Sequence, residues 1–374
     1  MKFQDLVGQT ETVAHLRSLI QQGRLPHALM LRGPAGVGKL ALARALAQYI
    51  NCQNPTETDS CGKCPNCLKI SKGIHPDLRF VLPIISKSEN NKPVLSENYL
   101  EEFREMVLES PYAGLNNWQE VLGASNRQLM IGVEEIRKLK RDLSLKAFEA
   151  PYKIALIWNA EFINVQGANA FLKLLEEPPD RTLLLMTCSD PSRLLGTIRS
   201  RCQQVALGRI PAPMIQSYLT DKKEVPAEKA KELAGISEGS VGNALDFMAE
   251  STHALNQLYM NWLRVVFQGR YNRIQLEIEK IYTESKEFQK LFLQFALKKI
   301  RDSLLYNLDL QQLALVTQNE REFHQKFSAF ANPERVALIS LELEESLRQI
   351  TGNGNPQMVL TALSLRMHHI FHQP

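Results

Sequence analysis

The 374-residue chain has no run of about 18 apolar residues, the length that a membrane-spanning helix requires. Its first residues also lack the apolar stretch of a signal peptide, so we expect a cytoplasmic protein. Strong charge is missing as well, since the formal net charge is only +4. A protein dedicated to binding nucleic acid usually carries a larger basic excess. The composition, 44% hydrophobic and 22% charged, is otherwise typical of a soluble globular protein with two or three domains.

Cysteine is scarce and unevenly placed. Two of the six cysteines stand apart, at Cys188 and Cys202, and the other four are Cys52, Cys61, Cys64 and Cys67. In a reducing cytosol this clustering favours a metal over disulfides. Four thiolates suit tetrahedral zinc, and a site filled by protein ligands is structural. Loose thiols and an iron–sulfur cluster are the alternatives, and the absence of a recognisable redox domain favours zinc. His75 reads as a bystander.

Strand and helix signals alternate over residues 1–208. Short apolar runs predict strands, and longer periodic stretches predict helices at 133–148 and 162–177. This alternation predicts an α/β domain whose parallel sheet is covered by helices on both faces. The predicted strands are 28–32, 78–82, 154–158, 182–187 and 204–207.

Three other segments complete the predicted organisation. Residues 83–127 are an insertion, with an exposed loop at 86–93 and then a helix that carries Tyr99, Leu100, Phe103 and Met106; we assign it no function. Residues 209–250 form a small helical unit after Pro211 and Pro213. Residues 251–374 read as helices only, and Asn332 and Asn355 are predicted N-caps because a proline follows each.

A glycine-rich segment at 33–39 follows the first strand and opens a helix, which is the context of a P-loop. Gly33, Gly36 and Gly38 let backbone N–H groups curl around phosphates, and Lys39 would reach the terminal ones. The residue that should bind Mg²⁺ through a hydroxyl is Leu40, and leucine cannot bind a hard cation. Nucleotide binding is therefore doubtful.

The acidic strand end of a P-loop ATPase is also missing. Trp158 lies where an aspartate should hold Mg²⁺, and Asn159 lies where the catalytic base should be. Glu161 is a possible substitute, but it lies three residues past the expected position and is adequately explained as a solvated charge at a helix start. We therefore predict a chain without ATPase activity of its own.

Arg201 lies in a loop between two predicted strands, within Ser200–Arg201–Cys202. Such an arginine is either an ordinary surface charge or an arginine finger, which stabilises charge on a γ-phosphate of a neighbouring subunit. The spacing alone does not separate the two interpretations.

Taken together, the motifs resemble those of bacterial clamp-loader subunits of the AAA+ family. The resemblance rests on the P-loop, the four-cysteine knuckle within its domain, the segment 169–179 and the segment 200–202. It covers nearly the whole chain, and the insertion at 83–127 is the main departure. The losses at Leu40, Trp158 and Asn159, with Gly242 where the motor would place a nucleotide-sensing arginine, resemble the branch with a degenerate nucleotide site.

This resemblance implies a P-loop core at 1–208, a helical lid at 209–250 and a helical collar at 251–374. It implies a non-catalytic component of the DNA polymerase III holoenzyme, a nucleotidyltransferase, in which Arg201 acts in trans on the ATP of an adjacent tau/gamma motor subunit. The implied partners are tau/gamma and delta in a ring of five subunits, with the sliding clamp and primed DNA. The rivals are an active tau/gamma-type motor and a zinc-containing nucleic-acid-binding module.

Overall fold

The computed structural model describes residues 1–85, 88–89, 92–123, 127–249, 252–310, 323 and 325–372. The chain divides into two compact units, which are described separately. The N-terminal unit contains Met1–Tyr218 and Gly239–Gly242, and the C-terminal unit contains Leu219–Glu238 and Asn243–Pro374. The division predicted from the sequence, into 1–208, 209–250 and 251–374, stays a prediction.

A five-stranded parallel sheet forms the centre of the N-terminal unit. The predicted α/β architecture with a parallel sheet is confirmed, and each strand begins and ends within one residue of its predicted bounds. The strands are β1 (Ala28–Arg32), β2 (Leu78–Val81), β7 (Lys153–Ile157), β8 (Thr182–Cys188) and β9 (Gln203–Ala206). Their order across the sheet is β2-β7-β8-β1-β9.

The sheet is buried on both faces, which explains why its strands read as continuous apolar runs. Successive side chains of a strand point to opposite faces. Thus Leu29 and Leu31 of β1 pack in one apolar core, and Ala28 and Met30 pack in a second core on the other face. All seven residues of β8 are buried.

Helices cover the sheet. Those of the N-terminal unit are α1 (Thr10–Gln21), α2 (Lys39–Ile50), α3 (Pro65–Ser71), α4 (Leu100–Glu109), α5 (Leu115–Val121), α6 (Val133–Ser144), α7 (Val165–Glu176) and α8 (Gly196–Arg199). Helix α9 (Ala212–Lys223) contains residues of both units.

Two of these helices are shorter than predicted. Helix α6 ends at Ser144 instead of 148, because the carboxylate of Asp77 accepts the backbone N–H groups of Phe148, Glu149 and Ala150 at 2.6, 2.8 and 2.9 Å. These bonds hold the backbone after α6 in a non-helical turn. Helix α7 begins at Val165 instead of 162, because the side chain of Asn164 caps it by accepting the N–H of Gly167 at 2.7 Å.

The insertion at 83–127 is partly as predicted. Tyr99 ends a short 3₁₀ turn, and α4 follows with Phe103 and Met106 buried, which confirms the helix. The prediction of a plain loop at 86–93 is wrong for its described part. There, β4 (Ser88–Glu89) and β5 (Lys92–Pro93) form an antiparallel pair, while residues 86–87 and 90–91 lie outside the described residues. A second short pair joins β3 (Ile84–Ile85) to β6 (Leu129–Met130).

Helices are the only regular secondary structure among the described residues of the C-terminal unit, as predicted. The side chain of Asn332 accepts the N–H of Arg335 at 2.8 Å, and that of Asn355 accepts the N–H of Met358 at 3.1 Å, which confirms both N-caps. The helices are α10 (Ala227–Ile236), α11 (Val241–Ala249, whose first two residues belong to the N-terminal unit), α12 (Thr252–Gln268), α13 (Tyr271–Tyr282), α14 (Lys286–Asn307), α15 (Pro333–Thr351) and α16 (Pro356–His372). None of the helices described here or in the N-terminal unit is long and apolar enough to cross a membrane.

Candidate functional site

The glycine-rich segment joins β1 to α2 at the carboxyl edge of the sheet. Gly36 and Gly38 have φ values of 70° and 93°, in the left-handed region that favours glycine. Gly38 lies immediately before α2, so the helix begins at Lys39. The structure therefore has the backbone path of a P-loop at the predicted place.

Lys39 is directed back onto this loop. Its Nζ atom donates to the carbonyl oxygen of Gly33 at 2.7 Å and to that of Pro34 at 2.6 Å. Burial lowers the pKa of Lys39 to about 8, and the nearby Glu161 carboxylate opposes that shift. The ammonium group thus takes backbone oxygens as partners in the position where a nucleotide would offer phosphate oxygens.

The positions of the expected magnesium ligands belong to an apolar core. Leu40 is 5% exposed and Trp158 is 4% exposed, and both pack in the core on one face of the sheet. Asn159 is also buried; its backbone has a left-handed conformation and donates to Oγ1 of Thr187 at 2.9 Å. These three positions offer no carboxylate or hydroxyl group for a metal.

Glu161 does not have the solvated position that the sequence suggested. It is only 7% exposed, and its Oε1 accepts the backbone N–H of Ser189 at 2.8 Å. Its Oε2 is buried and has no hydrogen-bond partner among the described residues. Burial raises the pKa of the neighbouring Cys188 thiol, and Glu161 adds to that rise. The idea of a solvated helix-start charge is therefore wrong, because β8 and its following turn enclose the carboxylate.

Aromatic residues of the insertion surround Trp158, and the sequence reasoning missed this role. The ring of Phe103 lies 5.4 Å from that of Trp158, and the ring of Trp118 lies 6.2 Å from it. Nε1 of Trp118 donates to the carbonyl of Pro83 at 2.7 Å, so its one polar atom is satisfied. Trp158 itself was the signal for this packing, because it replaces the aspartate expected at that position. A buried indole needs apolar neighbours from elsewhere in the chain.

Gly242 lies against the P-loop. Its N–H donates to the carbonyl of Gly36 at 3.1 Å, and a Cβ atom added to Gly242 would stand 2.9 Å from Cα of Gly36. Any larger residue, arginine included, requires one of these backbones to move. The departure at Gly242 thus has a steric reason that the sequence could not reveal.

The four clustered cysteines come together as predicted. Their Sγ atoms all lie within 4.8 Å of one another, and those of Cys61 and Cys67 are 3.9 Å apart. Zinc–sulfur bonds near 2.3 Å place tetrahedral thiolates about 3.8 Å apart, so the four residues fit a zinc ion. His75 is outside this group and packs near Glu149, with 3.6 Å between Nε2 and a carboxylate oxygen.

Backbone N–H groups point at the sulfur atoms. The N–H groups of Cys61, Cys64 and Cys67 donate to Sγ of Cys52, Cys61 and Cys64 at 3.2, 3.3 and 3.4 Å. The N–H groups of Lys63 and Cys64 lower the pKa of Cys61 to about 6, whereas burial raises the pKa of Cys67. A divalent cation would balance thiolates held this close, since metal ligands must be deprotonated.

Asp59, which the sequence reasoning did not single out, ties this knuckle to the beginning of the described chain. Its carboxylate accepts the backbone N–H groups of Phe3 at 3.2 Å and Gln4 at 3.0 Å. Asn66 adds a second link, because its side chain donates to the carbonyl of Asn51 at 2.9 Å. The knuckle is thus part of the packed unit.

Arg201 follows α8, and 38% of its side chain is exposed. Its Nη2 lies 2.7 Å from the carboxylate of Glu176 at the end of α7, and its Nη1 donates to the carbonyl of Thr197 at 3.1 Å. The guanidinium is therefore oriented by its own chain and still partly open to a partner.

A family model and several known proteins are similar to this chain. The model, described as DNA polymerase III, delta subunit, matches residues 8–211. DNA polymerase III subunit delta-prime of Pseudomonas aeruginosa is 35% identical over 57% of this chain and 53% of its own length. Subunit delta-prime of Escherichia coli is 25% identical over 93% of this chain and 91% of its own length.

Subunit tau of Bacillus subtilis is 22% identical over 100% of this chain and 62% of its own length. The chain therefore spans little more than half the length of the Pseudomonas relative and under two thirds of the Bacillus one.

Proposed function

The chain belongs to the family of the DNA polymerase III delta subunit, and we propose on that premise that it is a clamp-loader subunit of the delta-prime type. In this role it helps to load the sliding clamp onto primed DNA and hydrolyses no ATP itself. The observation that carries the proposal is the packing of Leu40 and Trp158 in an apolar core, at the positions of the metal ligands.

Magnesium chemistry supports this interpretation. Mg²⁺ takes oxygen ligands in near-octahedral geometry, and phosphoryl transfer depends on the metal bridging the β- and γ-phosphate oxygens. Leu40 and Trp158 offer no oxygen side chain, and Asn159 cannot act as a base. Without the metal and the base, the remaining P-loop lysine is insufficient for hydrolysis.

Arg201 is the proposed arginine finger, acting on ATP held by an adjacent tau/gamma subunit. Glu176 holds the guanidinium at 2.7 Å, and the remaining exposure leaves donor groups available to a phosphate. The triphosphate of ATP carries more charge than one carboxylate, so the partner's nucleotide can displace Glu176 when the subunits meet.

Cys52, Cys61, Cys64 and Cys67 are the proposed ligands of one structural zinc ion. Zinc bound there would crosslink the loop after α2 to the start of α3. The N–H···S bonds orient the thiolates, and the four-sulfur set leaves no open position for a substrate.

The proposed partners are the tau/gamma motor subunits and the delta subunit in a ring of five, with the sliding clamp and primed DNA reached through the complex. In this arrangement residues 251–374 form the collar that joins the ring, 209–250 the lid and 1–208 the P-loop core. An active tau/gamma-type motor is the second candidate, favoured by the similarity to subunit tau over the full chain and by the retained Lys39.

The decisive experiment measures Mg-ATP turnover by the isolated chain and by a reconstituted complex that contains it. We expect no turnover by the isolated chain. In the complex, Arg201→Ala should slow hydrolysis about 10³-fold at the ATP site that adjoins this chain, while the other sites continue. Arg141→Ala, which removes an exposed cation of α6, is the matched control.

Each outcome separates the candidates. Magnesium-dependent turnover by the isolated chain would establish the motor. A complex that assembles with Arg201→Ala and keeps its full ATPase rate would remove the finger assignment and leave the family membership intact.

A further inference from the structure

Tyr112 lies in the turn between α4 and α5 of the insertion and is only 4% exposed. A tyrosine at the tip of such a turn would ordinarily face solvent. Here its hydroxyl oxygen accepts the backbone N–H of Val7 at 2.7 Å. One aromatic side chain of the insertion thus contacts the segment that precedes α1.

The ring of Tyr112 also lies on the P-loop. A Cβ atom added to Gly38 would stand 2.9 Å from Cε1 of Tyr112, so only the bare backbone of glycine leaves room for the ring. The ring of Tyr218 packs edge-on against it, with 5.7 Å between the centroids. Tyr112 is therefore enclosed by the P-loop backbone, a second aromatic ring and a backbone N–H group.

These are the surroundings that a nucleotide base needs. A nucleotide with its phosphates at the beginning of α2 would extend its sugar and base alongside the loop that contains Gly36 and Gly38. A base requires flat apolar walls and a few backbone hydrogen-bonding groups. Tyr112 meets the same requirements with its flat ring and polar edge.

We propose that Tyr112 occupies the base compartment of this chain's own P-loop and thereby excludes nucleotide from it. The insertion, which has no place in the clamp-loader pattern, then acts as an internal substitute for the ligand. A tethered side chain acts at an effective concentration on the order of millimolar or higher, which free nucleotide must exceed.

Two neighbouring contacts close the rest of the loop. Ser240 lies so near that a Cβ atom on Gly36 would stand 2.1 Å from its Oγ, and the N–H of Gly242 bonds the Gly36 carbonyl. The Lys39 ammonium already has two carbonyl partners from the loop. Side chains and backbone groups of the chain itself thus fill the base compartment, contact the loop and bind the Lys39 ammonium.

This inference goes beyond the proposed function, because it concerns nucleotide access to this chain and not its action on a neighbour. It would hold even if Arg201 proved to be an ordinary surface charge. Conversely, a chain that bound nucleotide without hydrolysing it would keep the proposed function and lose this inference.

The test is nucleotide binding by the full chain, measured by titration with ADP and with ATP without added Mg²⁺. We expect no saturable binding by the unmodified chain at about 1 mM nucleotide. Tyr112→Ala should gain at least about tenfold in affinity, because it empties the compartment. Tyr112→Phe, which keeps the ring, should show no gain in nucleotide affinity. Adding Lys39→Ala to Tyr112→Ala should abolish the gain.

Tyr271→Ala, at an exposed position of the C-terminal unit, is the matched control and should gain nothing. Circular dichroism and metal content show whether each variant is folded. A folded Tyr112→Ala that binds no better than the unmodified chain would overturn the proposal. If Tyr112→Ala does not fold, the unmodified chain decides. Hydrogen-exchange protection of the Val7 amide that does not change up to the highest nucleotide concentration tested supports the proposal, and saturable nucleotide binding overturns it.

Discussion

The P-loop region and the cysteine knuckle are joined by a single helix, α2, yet they differ in what surrounds their ligand positions. In the P-loop region, Leu40 and Trp158 pack in an apolar core with aromatic residues of the insertion. In the knuckle, four sulfur atoms face one another and receive backbone N–H groups.

The difference lies in what fills the space. A buried region without polar ligands is stable only when apolar side chains fill it closely. Phe103 and Trp118 supply that filling around Trp158. The knuckle has no such filling, and its four sulfur atoms are placed to hold a metal ion. The same unit thus contains one region where apolar side chains fill the positions expected of metal ligands and one where four thiols are placed to hold a metal ion.

The largest effect on stability is expected from an acidic residue placed at position 158. Trp158→Asp removes a buried indole and places a carboxylate among aromatic rings, so the free energy of unfolding should fall by about 5 kcal/mol. ATPase activity should not appear, since Leu40 still denies a metal ligand. Denaturant unfolding measures the loss. The control is Trp158→Phe, which should lower the free energy of unfolding by only about 1–3 kcal/mol. A stable Trp158→Asp variant that binds Mg-ATP would contradict the view that this region is core.

A smaller effect is expected at the knuckle. Cys67→Ser removes a fully buried sulfur ligand and should lower metal affinity and cost about 3 kcal/mol of unfolding free energy. Thermal unfolding and metal content per chain are the measurements. Cys202→Ala, a buried cysteine outside the knuckle, should cost only about 1 kcal/mol and keep the metal. A Cys67→Ser variant with full metal content and unchanged stability would show that the knuckle needs no cation.

The smallest expected effect is a pH dependence of stability that comes from Lys39. Burial lowers the pKa of Lys39 to about 8. Between that value and the model-peptide value near 10.4, the unfolded chain binds a proton that the folded chain has released. Stability contributed by this group therefore rises with pH across that window, by about 1–2 kcal/mol up to about pH 9.5.

Lys39→Met should lack this rise, so the difference in unfolding free energy between the two proteins should grow with pH in favour of the unmodified chain. Denaturant unfolding at about pH 7.5 and 9.5 measures it, and Lys72→Met, at an exposed position of the same unit, is the control. Parallel pH dependence for the unmodified chain and Lys39→Met would mean that Lys39 is not desolvated.

Local patterns predicted the parallel sheet, the P-loop and the knuckle, because each depends on residues close in sequence. Apolar runs sufficed for the strands, and the spacing of Cys61, Cys64 and Cys67 sufficed for the sulfur cluster. The ends of α6 and α7 were misjudged, because Asp77 and Asn164 bond backbone groups that helical periodicity does not report.

What the sequence could not predict depends on contacts between distant segments. Tyr112 meets Val7 across 105 residues, and no local pattern links them. The burial of Glu161 and the close approach of Gly242 to Gly36 are of the same kind. The insertion had no assigned function because its aromatic residues acquire meaning only beside Trp158 and the P-loop.

The turn after α6 has a consequence for proteolysis. The side chain of Phe148 is 82% exposed, which makes it an obvious target for a protease that cleaves after aromatic residues. Burial would raise the pKa of Asp77, but three backbone N–H donors outweigh it and keep the carboxylate charged. A protease must draw several residues into an extended strand, and here that requires breaking all three bonds. Cleavage after Phe148 should therefore report the opening of this turn and not the exposure of its side chain.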